Sequence, residues 1–131
     1  MPEPILLAVN GTLMRGLELN GNLLRAGARF VAEAQTVAQY RLYSIDDLHP
    51  AMRRVAEGGT RVALELWELP AAAIARVLQD EPSGLCIGKV SLADGREVLG
   101  VLGEPWLCDR GRDISAHGGW RAYRAARAAG G

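Results

Sequence analysis

The sequence predicts an α+β fold: a small mixed β-barrel with helices inserted between its strands. Three observations lead there. Six short segments either alternate apolar with polar side chains or form brief apolar runs, the patterns of half-buried and buried strands. Three helical segments fall between them without a regular β-α-β rhythm, which argues against a doubly wound sheet. The strands are of similar length, and closing them on one another removes exposed edges. The 131 residues, 49% of them hydrophobic, suit one domain over 1–131 that needs no staple to fold.

The first strand is the apolar run 5–9, stopped by the turn dipeptide Asn10-Gly11. Asn20 is placed to cap a short helix over 20–28, with Leu23, Leu24 and Ala28 inward and Gly27 near its end. Residues 30–37 form a half-buried strand in which Ala32 and Ala34 alternate with Val31, Glu33 and Gln35. In the strand 40–45, Tyr40 and Leu42 share one face, Arg41 and Tyr43 the other. Residues 46–59, with Pro50 and Gly58-Gly59, read as a loop. The longest strand, 61–69, sets Val62, Leu64 and Leu66 against Ala63, Glu65 and Trp67. Pro70 then opens an alanine-rich helix over 71–78, followed by a polar loop over 79–84. Residues 85–92 and 97–102 make a hairpin across Ala93-Asp94-Gly95-Arg96. A last helix runs over 118–129, with Ser115 as its capping candidate.

Composition narrows the function. Fifteen basic residues balance fifteen acidic ones, so no nucleic-acid partner is expected. Fourteen of the fifteen basic residues are Arg, Lys89 being the exception, which supplies guanidinium forks for carboxylates. No basic leader and no 18-residue apolar stretch occur, so no membrane association and a cytoplasmic location are expected. Cys86 and Cys108 lack CxxC spacing and read as two reduced, packed thiols. His49 and His117 stand in no ligand spacing, so neither a metal nor another cofactor is expected.

Chemistry concentrates in Asn10-Gly11-Thr12-Leu13-Met14-Arg15. A buried strand opening into a glycine turn presents successive backbone N–H groups, a seat for a small carboxylate or other oxyanion. Thr12 adds a hydroxyl, and Arg15 and Asn20 are polar supports for the same anion. Glu81, in the loop after a helix, is a candidate general acid/base whose proton affinity burial would raise. Glu65 is an acid inside an apolar strand, with Arg61 its nearest partner on the same face. His117 is a polar cap or proton shuttle, and Gly118-Gly119 before Trp120 and Arg121 call for a close backbone approach. No Ser-His-Asp or Cys-His set assembles, so covalent catalysis has no support.

The order of these features resembles a known family. Asn10-Gly11-Thr12-Leu13 after a first strand is similar to the Y-G-S/T-L signature of the γ-glutamylcyclotransferase-like superfamily. Tyr40-Arg41-Leu42-Tyr43 and the segment from Val62 to Leu69 follow in that superfamily's order. Closer still, Gly16-Leu17-Glu18-Leu19-Asn20, the segments 27–31 and 87–95, and Gly118-Gly119-Trp120-Arg121-Ala122-Tyr123 resemble the C-terminal domain of allophanate hydrolase. That resemblance implies a γ-glutamylcyclotransferase-like fold and a stand-alone relative of a domain usually fused to an amidase. It implies a small carboxylate or carbamate-like ligand and decarboxylation or deamination of a urea-derived N-carboxy compound. Two other functions go with it: 5-oxoproline formation with Glu81 moving the proton, or a non-catalytic partner of a separate amidase. Asn10 stands where the superfamily has Tyr, and Leu13 where the allophanate-hydrolase version carries His.

Overall fold

The computed structural model describes residues 3–130. The strands are β1 (Ile5–Val9), β2 (Arg29–Gln35), β3 (Tyr40–Ile45), β4 (His49–Arg54), β5 (Ala63–Leu69), β6 (Leu85–Ser91), β7 (Glu97–Gly103) and β8 (Arg112–Asp113). The helices are α1 (Asn20–Arg25), α2 (Ala71–Gln79), α3 (Pro105–Arg110) and α4 (Trp120–Ala129), with a 3-10 turn at Ser115–His117. A five-stranded sheet runs in the order β2-β5-β1-β7-β6, and a three-stranded one in the order β4-β3-β8. β1 is central, antiparallel to β5 and parallel to β7, and a strand flanked on both sides reads as a continuous apolar run.

The class is α+β, as expected, but the sheet is not a closed barrel. Its edge strands meet at one end only, where Thr36 bridges Leu92, Val37 N–H donates to the Ser91 carbonyl, and Ala93 N–H donates to that of Gln35. Elsewhere the edges stay apart. The second sheet and the helices cover the core instead, and Trp120 and Tyr123 of α4 are buried there with Leu7, Leu42 and Leu66.

Four local expectations need correction. The loop expected over 46–59 contains β4, which pairs with β3 along its whole length from Ile45/His49 to Tyr40/Arg54. The reversal is made by Asp46 and Asp47, both left-handed (φ 54° and 57°), with Ser44 Oγ and Asp47 bonded to each other. Aspartate tolerates that region because its short side chain bonds locally. Pro50 is accommodated because β4 is an edge strand, where a missing N–H costs no ladder bond.

Asn20 does not cap α1: it is the first helical residue, and its side-chain amide donates to the Leu13 carbonyl at 2.8 Å. Ser115 does not cap α4 either; its hydroxyl accepts the Leu42 N–H at 2.8 Å, and Gly119 holds the cap position. The short helix α3 was not expected, although Pro105 at its first turn is a legible start signal. Both cysteines are free, and burial raises the Cys108 thiol to about 11.

Candidate functional site

β1 leaves the sheet at Asn10, whose side-chain amide ties the exit to β7 by donating to the Val101 carbonyl at 2.9 Å. The carbonyls of the following turn are spent on the protein: Gly11 accepts from Met14 N–H, Thr12 from Leu19 N–H, and Leu13 from Asn20. The N–H groups of Gly11, Thr12 and Leu13 have no protein acceptor among the described residues. Three bare donors at a strand end form the kind of concavity that takes an anion.

The same cavity, about 20 Å³, is lined by Gly11, Thr12, Leu13, His49, Pro50 and Glu81. That is room for one water-sized group, such as a single carboxylate oxygen. Pro50 sets its size, because a Cβ added to Gly11 would stand 2.5 Å from the Pro50 Cδ. Gly11→Ala is therefore expected to destabilise the fold by about 1–3 kcal/mol through overpacking, read as a lower midpoint in urea unfolding. An unchanged midpoint would mean that β4 yields easily over the turn.

Glu81 enters from the opposite wall, immediately after α2, where its N–H donates to Leu78. Burial, with a smaller contribution from the neighbouring Asp80 charge, raises its carboxyl to about 7. Its Oε1 is buried with no hydrogen-bond partner among the described residues. His49 shares the cavity and was not singled out as a site residue by sequence reasoning, because only the β3–β4 hairpin brings it there. Its Nδ1 lies 3.0 Å from the Pro50 carbonyl, an acceptor only, so Nδ1–H is the donor of that bond.

Of the residues singled out from sequence, Asn10, Gly11, Thr12, Leu13 and Glu81 thus converge. Met14, Arg15 and Asn20 do not. Met14 faces a different, larger cleft, and Asn20 is spent on Leu13. Arg15 turns away to Glu65 and Glu33, with its guanidinium 3.9 Å from the Phe30 ring centroid.

Glu65 is the hub of that second region. Its partners are Arg15 and Arg121 rather than Arg61. It accepts from the Arg15 backbone N–H (2.9 Å), Arg15 Nε (3.1 Å), Trp67 Nε1 (3.1 Å) and Arg121 Nη2 (3.1 Å). Burial pushes this carboxyl up, but the four donors together outweigh it and hold the group below the usual glutamate range. Arg121 also donates to the Arg15 carbonyl, so the end of the β1 turn is held at both its N–H and its C=O.

The chain matches the allophanate hydrolase C-terminal domain family over residues 5–125. Urea amidolyase of Lachancea kluyveri is 30% identical over 128 residues, covering 92% of this chain and 7% of that protein. The chain thus spans about 7% of the length of the curated relatives it matches. Among solved structures, a uropathogenic E. coli-specific protein is 58% identical with a TM-score of 0.93, over 95% of this chain and 98% of that one. Allophanate hydrolase of Kluyveromyces lactis has a TM-score of 0.89 at 27% identity, over 95% of this chain and 21% of that chain. No helix among the described residues is long and apolar enough to cross a membrane.

Proposed function

The chain belongs to the allophanate hydrolase C-terminal domain family, and from that premise we propose that it binds a small carboxylate or carbamate-like group at the β1 turn and decarboxylates a urea-derived N-carboxy compound. The observation that carries this reading is the pairing of three bare N–H donors with a buried, unpartnered Glu81 carboxyl in one small cavity. The donors of Gly11, Thr12 and Leu13 hold the carboxylate of the ligand. Because that negative charge is lost as carbon dioxide forms, the donors orient the group, and the acceleration comes from the proton donor. Glu81, half protonated near neutrality, gives its proton to the nitrogen; the C–N bond breaks, its electron pair stays on nitrogen, and carbon dioxide leaves. Solvent then returns the proton to Glu81.

A second reading, a partner module of an amidase, is favoured by the relatives, in which the matching segment is 7% of a far longer protein.

The test couples the chain to an amidase acting on allophanate and follows carbon dioxide release by stopped flow. Wild type is expected to accelerate release, and Glu81→Gln to lower that acceleration by about 10²–10⁴-fold. Equal rates with and without the chain would remove the catalytic reading. Acetate and bicarbonate address binding separately: at 100 times its Kd either is expected to stabilise the fold by about 2.7 kcal/mol.

A further inference from the structure

The side-chain amide of Asn10 has an end that the protein itself does not use. Asn10 is 4% exposed. Its nitrogen donates to the Val101 carbonyl at 2.9 Å and to the Met52 sulfur at 3.9 Å, so the two N–H groups of the amide are directed into the protein. A planar amide held at its nitrogen cannot turn over, and the position of Oδ1 is fixed with it. No donor among the described residues reaches that oxygen.

Buried acceptors are nearly always paired, and one left bare is costly. Oδ1 nevertheless keeps accessible surface. Among the described residues, the side-chain nitrogens and oxygens with neither a partner nor exposed surface are Arg53 Nε, Glu81 Oε1 and Trp120 Nε1, and Asn10 Oδ1 is not one of them. Asn10 lines the β1-turn cavity, and it lines neither the large cleft beside α4 nor the pocket between α1 and α2. The surface that Oδ1 keeps therefore opens on the β1-turn cavity.

That cavity changes polarity within four residues. Asn10 Oδ1 only accepts, whereas the backbone N–H groups of Gly11, Thr12 and Leu13 only donate. The carbonyls of the turn are already taken, by Met14 N–H, Leu19 N–H and the Asn20 amide. The cavity has room for one water-sized group, so the ligand atoms that decide are the one inside and those bound to the same central atom. A carboxylate on carbon meets the N–H groups well but gives Oδ1 nothing to accept. A group with an N–H and an anionic oxygen on one central atom satisfies both sides.

We infer that Asn10 is a specificity-determining residue, whose Oδ1 accepts an N–H of the ligand and so selects an N-carboxy compound over a carboxylate attached to carbon. The inference rests on the β1-turn reading and adds to it the residue that tells nitrogen from carbon. Discrimination of this kind is strong when a site is built around a hydrogen bond, because the wrong ligand leaves a buried polar atom unpaired. An N–H given to Oδ1 also leaves the nitrogen lone pair to Glu81, the proton donor of the same cavity.

Sulfamate and methanesulfonate test this directly, since they share charge and shape and differ in NH₂ against CH₃. Each is titrated into ¹⁵N-labelled protein and read at the Gly11, Thr12 and Leu13 amides and the Asn10 side-chain NH₂. Sulfamate is expected to bind at least about tenfold more tightly, the difference of one hydrogen bond. Asn10→Leu keeps much of the volume but removes Oδ1 together with the tie to Val101, so the reading is the ratio of the two affinities. That ratio is expected to fall to near parity. Should the variant not fold, the wild-type preference and the shift of the Asn10 side-chain NH₂ decide by themselves. Equal affinities in wild type, or an undiminished preference in Asn10→Leu, overturn the inference and leave the β1-turn reading intact. No shift at the three amides with either probe up to about 50 mM overturns both.

Discussion

Glu65→Leu is expected to destabilise the fold by about 3 kcal/mol, the largest loss anticipated from any single side chain in the polar network. Leucine fills much of the space but accepts nothing. Trp67 Nε1 then remains buried without its acceptor, and the part-buried Arg15 backbone N–H loses its own, which accounts for most of the loss. Arg15 and Arg121 are roughly half exposed and recover water, so they add less than a fully buried cation would. The reverse deletions act on the other partner: Arg15→Ala and Arg121→Ala each leave a 3% exposed carboxylate with one guanidinium instead of two. Their effects are expected to be non-additive in a double-mutant cycle, because both arginines serve one acceptor. Urea unfolding of the three variants checks this, and a Glu65→Leu loss below about 1 kcal/mol would falsify the hub role.

The pH dependence follows from the same bonds. Folded Glu65 titrates below its ordinary value of 4.5, so its contribution is present above about pH 4.5 and is lost as pH falls through the folded value. Wild type should therefore show an acid limb that Glu65→Leu flattens.

Glu81 is expected to produce a second limb of opposite sign. Its folded carboxyl titrates at about 7, above the ordinary 4.5. Below about pH 4.5 it is neutral in both folded and unfolded chains, and the fold keeps its full stability. As pH rises from there toward 7, the unfolded chain ionises while the folded one resists, and about 3 kcal/mol of stability is lost. Above pH 7 the loss levels off. Glu81→Gln cannot ionise and should remove this limb; the slope between pH 5 and 7, rather than the absolute stability, is the informative reading. The same slope in both proteins would show that the carboxyl is not held neutral. The two glutamates show how environment separates like groups: one is surrounded by donors, the other is buried with an oxygen that no donor reaches. A buried, unpaired acid is a stability cost that a fold carries where the group has a use.

Much of this was legible in the sequence because it is local. Strands β1, β2, β3, β5, β6 and β7 and helices α2 and α4 follow from alternation, apolar runs, Pro70 and the turn residues, each read within a window of a few residues. The order of short motifs marked the family. Strand β4 was hidden because its turn uses Asp46-Asp47 instead of the usual glycine pair, and because Pro50 reads as a breaker until an edge position is known.

What only the tertiary structure decided are the choices of partner. Arg15 lies beside the β1 turn in sequence but spends its charge on Glu65, fifty residues away, and Arg121 joins them from a separation of 56. Pro50, not a ligand, sits on Gly11 and limits the cavity beneath it to one small group. The open sheet likewise replaces the expected barrel because the edge strands β2 and β6 meet only at one end, around the Thr36–Leu92 bridge. Alternation sets which face of a strand is apolar, but closure and ion pairing depend on sheet order and on which distant side chain arrives within bonding distance. Those depend on the packing of the whole chain.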